Sequence, residues 1–117
     1  MATNYRQAGE TITLSAPSGG ILSGQGFVTG AIFAVAASDA IEGAEVEGNT
    51  VGVWMLPKAA GVIAEGARVW WNDTLKVVVN ATGAGFFPIG VAVGGAADAD
   101  ATVNVRLDGV AVAAAGA

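Results

Sequence analysis

Histidine and cysteine are both absent from the 117 residues. Without histidine the chain lacks the usual general base near neutral pH, and without cysteine it lacks a thiol nucleophile and any disulfide. Zinc and copper sites also depend mainly on these two residue types. We therefore expect no catalytic site, no metal site and no cofactor, and we expect noncovalent packing alone to hold the fold.

Charged side chains are scarce and mostly negative. They make up 13% of the chain, against about 25% in typical soluble proteins, and the net charge is −5. Nucleic acid is not an expected partner, because it binds basic surfaces. Acidic residues cluster in one stretch, which is either a solvated loop or a site for a basic partner: Asp39, Glu42, Glu45 and Glu47.

Long hydrophobic runs are lacking as well, although apolar residue types reach 53% of the chain. Residues 11–38 and 77–97 carry no charge, but Gly with Pro, Ser, Thr or Asn interrupts both stretches. Neither is the continuous apolar span of about 20 residues that a transmembrane helix requires. The first residues also lack a basic segment followed by an apolar one, so we expect neither a secretory signal nor a membrane partner.

Short segments of alternating polar and apolar residues, separated by turn formers, predict strands throughout the chain. Residues 36–47 are predicted to be mostly loop, because Gly43 and Gly48 interrupt the pattern there and apolar positions are few. Seven or eight short strands at roughly ten-residue spacing indicate an all-β antiparallel sandwich or barrel. The predicted strands are residues 10–14, 26–29, 31–36, 50–56, 69–71, 76–79, 86–93 and 102–107.

The alternation also predicts which side chains face inward. Residues 50–56 are apolar on both faces, so both faces are expected to be covered. In the last strand three residues are predicted to point inward: Val103, Val105 and Leu107. In the strand that begins at Phe86 four residues are predicted to share a face, namely Phe87, Ile89, Val91 and Val93. The opposite face is small enough for another backbone or subunit to approach: Pro88, Gly90 and Ala92.

Glycine and alanine are distributed along the whole chain, so no internal domain boundary is predicted. Residues 1–9 are predicted to form an extended N-terminal arm, residues 10–109 a single β-domain, and residues 110–117 a small apolar tail. Tyr5 and Arg6 are residue types that are frequent at interfaces. We expect the arm to contact a partner through Asn4, Tyr5, Arg6 and Gln7.

Two patterns that would indicate a ligand site are incomplete. A phosphate-binding loop requires Gly-Lys before Ser or Thr, but Lys58 follows Pro57 and Lys76 follows Leu75. Asp98 and Asp100 could contact a hard cation, yet calcium requires about six oxygen ligands from a defined loop. The sequence predicts neither an ATPase nor a metal-binding protein.

Three tryptophans are candidate interface residues: Trp54, Trp70 and Trp71. Adjacent residues of a strand point to opposite faces, so one of Trp70 and Trp71 is expected in the core and the other outside it. An exposed tryptophan could anchor a protein interface or stack on a sugar ring. Interface, core packing and sugar binding therefore all remain open for these side chains.

Several segments, in order along the chain, resemble the small cement or decoration proteins of tailed-phage capsids. The resemblance begins in the N-terminal arm and first strand, at residues 2–5 and 9–17, and continues through Ile32-Phe33-Ala34-Val35. It includes the turn Leu56-Pro57-Lys58-Ala59, the hairpin segment at residues 67–72 and the closing segment at residues 101–109. No single motif is chemically specific, so the order and spacing across about nine-tenths of the chain carry the resemblance.

The resemblance implies a non-enzymatic protein on the outer surface of the phage head, made and assembled in the bacterial cytoplasm. It implies that the major capsid protein is a partner and that copies associate with one another, as trimers before dimers. Such a protein would stabilise contacts between neighbouring capsomers. The alternative is a carbohydrate-binding or adhesive module displayed on the virion, which the tryptophans suggest.

Overall fold

The computed structural model describes residues 10–81, 83 and 85–109, and all regular structure in that part of the chain is β-strand. The all-β prediction is confirmed, with nine strands in the described residues instead of seven or eight. Their bounds are β1 Thr11–Ser15, β2 Gly26–Thr29, β3 Ile32–Ala36, β4 Glu45–Asn49, β5 Val51–Pro57, β6 Arg68–Asn72, β7 Val77–Val79, β8 Phe86–Ala92 and β9 Thr102–Asp108. The arm with Asn4, Tyr5, Arg6 and Gln7, and the tail at residues 110–117, lie outside the described residues.

The strands form two antiparallel sheets. The first has four strands in the order β1-β4-β3-β2, and the second has five in the order β5-β9-β8-β6-β7. The five-stranded sheet curls until the chain just after β5 meets β7, where Lys58 and Val78 form a parallel bridge. The N–H of Ala59 donates to the carbonyl oxygen of Val78 at 2.9 Å. The fold is therefore a sandwich in which one sheet is a curled half-barrel.

The main core lies between the two sheets. Phe33 and Val35 of β3 project from the four-stranded sheet and pack against the inner face of the five-stranded sheet. The Phe33 and Trp71 rings meet there at a centroid distance of 5.1 Å and an angle of 58°. The predicted inward face of β9 is confirmed, because the side chains of Val103, Val105 and Leu107 are all buried in this core.

A second, smaller core covers the opposite face of the four-stranded sheet. It contains Phe27, Ala34 and Val46 from the strands, with Ala16 and Ile21 from the loop after β1. Close packing at this site requires a small residue on β4. A Cβ atom at Gly48 would lie 2.7 Å from the Cβ of Ala34.

The prediction of mostly loop for residues 36–47 is wrong at its end, where β4 begins. β4 buries the side chain of Val46 and exposes those of Glu45 and Glu47. The prediction weighed the number of apolar residues, but a strand with one solvated face can be fixed by its ladder to β1 and a single buried residue.

The predicted faces of β8 are wrong because the ladder between β6 and β8 contains a β-bulge. Val69 pairs with Gly90 and Trp70 pairs with Pro88, so Ile89 is the extra residue. A bulge shifts the alternation by one residue and reverses the faces beyond it. Phe87 and Ile89 therefore pack against the main core, whereas Val91 is half-buried on the outer side and Val93 is exposed.

A backbone does come close to β8 at Gly90, but it belongs to the neighbouring strand β9 of the same sheet, whereas the sequence predicted an approach across the small face. A Cβ atom at this position would lie 2.0 Å from the carbonyl oxygen of Arg106 in β9. The expectation that both faces of β5 are covered is wrong for one face. Leu56 is buried, but Val53 and Met55 are exposed on the outer face of the sheet.

Candidate functional site

Trp70 and Trp71 point to opposite faces of β6, as their adjacency predicted. Trp71 is 1% exposed, and its indole N–H donates to Asp73 Oδ1 at 3.0 Å. Since its ring lies in the core, Trp71 cannot stack on a sugar or reach a partner in this conformation. A carbohydrate-binding function that depends on Trp71 is therefore not supported.

The other two tryptophans are half-buried and lie on opposite sides of the five-stranded sheet. Trp54 packs against the main core, and its indole N–H donates to the carbonyl oxygen of Val51 at 2.9 Å. Trp70 lies on the outer side, between Val79 of β7 and Pro88 of β8. Of the three tryptophans, Trp70 is the one that the outer surface of this sheet presents to a partner.

The loop with Asp98 and Asp100 is organised by a buried lysine. The Lys58 ammonium donates to the carbonyl oxygens of Ala97, Asp98 and Asp100 at 3.1, 3.4 and 3.2 Å. Asp100 Oδ2 accepts the N–H of Ala97 at 2.8 Å. Within the described residues no three acidic side chains converge as a metal site would require. The Leu-Pro-Lys-Ala turn thus has a structural explanation.

A shallow groove at the end of the four-stranded sheet carries two exposed large apolar side chains. Ile21 and Ala40 exchange two backbone hydrogen bonds of 2.9 Å, which hold the loops before β2 and before β4 side by side. Leu22 and Ile41 line the groove and are 58% and 79% exposed. We call Leu22 and Ile41 the loop surface.

Two acids beside the loop surface stabilise these loops. Asp39 Oδ1 accepts the N–H of Ser23 at 2.8 Å, and Glu42 Oε1 accepts the N–H of Gly19 at 3.0 Å. Half of the acidic stretch in the sequence is therefore engaged in loop structure. The loop surface presents apolar side chains on a backbone that these hydrogen bonds hold in place.

Both arginines of the described chain lie on the outer side of the five-stranded sheet. Arg106 of β9 and Arg68 of β6 each pair with Val91 of β8, which lies between them. Val53 of β5 lies on the other side of Arg106, and Trp70 follows Arg68 along β6. We call these five residues the arginine face. Neither arginine forms an ion pair within the described residues.

The four-stranded sheet carries charge of the opposite sign. Between residues 10 and 57 the sequence contains five acids and no lysine or arginine. Glu45 and Glu47 project from β4 into solvent beside Thr13 of β1, whose hydroxyl donates to the Glu47 carboxylate. We call Thr13, Glu45 and Glu47 the acidic face.

The loop surface and the arginine face were not predicted from the sequence. Leu22 and Ile41 stand among turn residues, where an isolated apolar side chain has no periodic signal. The alternation that predicts Val105 and Leu107 inward also predicts Arg106 outward, but the proximity of Arg106 to Arg68 depends on which strands pair. One signal was available: every lysine and arginine after residue 9 follows residue 57.

No helix among the described residues is long and apolar enough to span a bilayer. Neither the curated proteins nor the solved structures gave a match to this chain. The family model of phage cement proteins matches residues 6–107, which is most of the chain and includes all nine strands except the last residue of β9. On this match the chain belongs to the phage cement protein family, which implies a structural role in a phage capsid and a location in the virion.

Proposed function

We propose that this protein binds the outer surface of the phage head and stabilises the contacts between capsomers of the major capsid protein. Membership of the cement family supports the capsid role. The location on the outer surface, the assembly in the bacterial cytoplasm and the association of copies, as trimers before dimers, are parts of this proposal. Such a protein stabilises a shell because it binds the assembled lattice and not its separated subunits.

The loop surface is the part of this proposal that meets the capsid. Leu22 and Ile41 are large and apolar, and both are exposed in one groove; this is the observation that carries the assignment. A few fully desolvated side chains near the centre of an interface contribute most of its binding energy, and covering an exposed Leu or Ile side chain removes apolar surface from water. The hydrogen bonds of Asp39 and Glu42 hold the loops in place before binding, so little conformational entropy is lost when a partner docks.

The test uses phage heads that lack this protein and purified protein added back to them. The double variant Leu22→Asp with Ile41→Asp places two charges in the contact. We expect its affinity for heads to fall at least thirtyfold, or about 2 kcal/mol, because unpaired carboxylates would be desolvated at the interface. Co-sedimentation with heads over a range of protein concentrations measures the affinity.

A matched control places the same two charges on exposed apolar side chains elsewhere. Val62 and Leu75 are exposed to a similar extent and lie outside the loop surface. The double variant Val62→Asp with Leu75→Asp should bind heads as the wild type does. Equal binding by both double variants would contradict the assignment of the loop surface, and failure of the wild-type protein to bind heads would contradict the cement function.

A further inference from the structure

We propose that the arginine face of one copy binds the acidic face of a second copy of this chain. The inference rests on the proposed association of copies and is independent of the contact between the loop surface and the capsid. It assigns one contact to two surfaces of opposite charge, which lie on different sheets of the same molecule.

The arginines have no partner of their own within the described chain. Lys58 is buried against carbonyl oxygens and Lys76 pairs with Asp73 at 2.8 Å, so both lysines are engaged. Arg68 and Arg106 are exposed and form no ion pair there. Asp108 lies on the same side of β9 as Arg106, two residues further along the strand and opposite Val51. Arg68 and Arg106 are therefore the cations that the described chain offers to a partner.

The acidic face cannot satisfy these arginines within one molecule. It belongs to the four-stranded sheet, whereas the arginines point away from the core on the outer side of the five-stranded sheet. A second copy brings the two together. Complementary charge of this kind orients partners and suppresses contacts between like-charged surfaces. Without it, the acidic segment at residues 10–57 of one copy would repel the same segment of another copy.

The dimensions of the two faces agree. Arg68 and Arg106 are separated by one intervening strand, so their backbones are about 10 Å apart. Glu45 and Glu47 are two residues apart on β4, which is about 7 Å. The flexible arginine side chains span the difference, and their aliphatic stems extend the apolar contact formed by Val53, Val91 and Trp70. Arginine and tryptophan are both enriched in protein interfaces.

The experiment exchanges the charges of the two faces. One variant carries Arg68→Glu and Arg106→Glu, and the other carries Glu45→Arg and Glu47→Arg. Each variant alone brings like charges together, so we expect its self-association to be at least about tenfold weaker than that of the wild type. A third variant that carries all four substitutions restores opposite charges at every contact between its copies and should recover the wild-type mass. Analytical ultracentrifugation of the full chain measures the mass of each variant.

The control changes net charge equally at other exposed acids. Glu65→Arg with Asp98→Arg alters the charge as much as the acidic-face variant does and should self-associate like the wild type. A monomeric wild type, an unchanged mass for the arginine variant, or no recovery of mass in the variant with all four substitutions would overturn the inference. An arginine variant that keeps its mass but no longer binds heads would place the capsid protein on that face. If the variant Leu22→Asp with Ile41→Asp no longer binds heads, the inference still stands, because the mass of that variant measures self-association independently of head binding.

Discussion

At the scale of single residues, Lys58 shows how one buried charge organises a surface loop. The side chain is 7% exposed, and its ammonium group donates to three backbone carbonyl oxygens of residues 97–100. Buried polar side chains without hydrogen-bond partners are costly, and no buried side-chain polar atom of the described residues lacks a partner. Lys58 thus connects the end of β5 to the loop before β9.

The variant Lys58→Met keeps the length of the side chain and removes the ammonium group. We expect the free energy of unfolding to fall by about 2–3 kcal/mol, because three carbonyl oxygens lose a charged donor whose own side chain is buried. Urea denaturation measures the change. Lys76→Met is the matched control, since its exposed ion pair with Asp73 contributes about 0–1 kcal/mol. Equal losses of unfolding free energy in Lys58→Met and Lys76→Met would contradict the stabilising role assigned to the hydrogen bonds of Lys58.

At the scale of strands, the pairing of β8 with β9 depends on the absence of a side chain at residue 90. Gly90 lies beside the bulge in the β6–β8 ladder and pairs with Leu107 in β9. The neighbouring backbone lies so close that any Cβ atom would overlap the carbonyl oxygen of Arg106. The bulge and the glycine together decide which side chains of β8 reach the core.

The variant Gly90→Ala should therefore weaken the centre of the five-stranded sheet. We expect a loss of about 3 kcal/mol in the free energy of unfolding, because the clash is with backbone, which cannot rotate away. Gly30→Ala is the control: Gly30 has a positive φ of 59° but open space around it, so the loss should be about 1 kcal/mol. Thermal and urea unfolding of both variants would give the comparison. A loss at Gly90 no larger than that at Gly30 would show that the strands separate easily.

At the scale of the whole molecule, every basic residue after residue 9 lies beyond residue 57, whereas acidic residues occur on both sides of that point. The proposed capsid contact is apolar, whereas the proposed contact between copies depends on opposite charges. Between 0.1 M and 1 M salt the Debye length falls from about 10 Å to about 3 Å. We expect the dissociation constant of self-association to rise roughly tenfold over that range.

Head binding should respond differently to the same change. Measured at protein concentrations where the copies stay associated, its affinity should change less than about threefold, because apolar burial is not screened by ions. Co-sedimentation and ultracentrifugation over a salt series would measure the two responses side by side. A steep loss of head binding with little change in self-association would reverse the assignment of the two surfaces.

Most strands could be predicted because side chains that alternate in polarity leave a period of two in the sequence. β9 shows this most clearly, since its three inward residues were predicted correctly. β4 was missed because it buries a single valine, and the faces of β8 were wrong because a bulge depends on the partner strand and leaves no local signal. The sequence also did not determine that Trp71, and not Trp70, lies in the core. Adjacent residues of a strand point to opposite faces, but their adjacency does not show which face is covered.

The sequence by itself determined the all-β class, the absence of histidine and cysteine chemistry, and the confinement of lysine and arginine after residue 9 to the part of the chain beyond residue 57. Residue composition, residue order and the local alternation of polar and apolar side chains are enough to determine these properties. Only the tertiary structure decided that Arg68 and Arg106 share a face and that Leu22 and Ile41 line one groove. Such surfaces form from residues distant in sequence, and strand pairing, which is settled by packing of the whole core, determines which of them become neighbours.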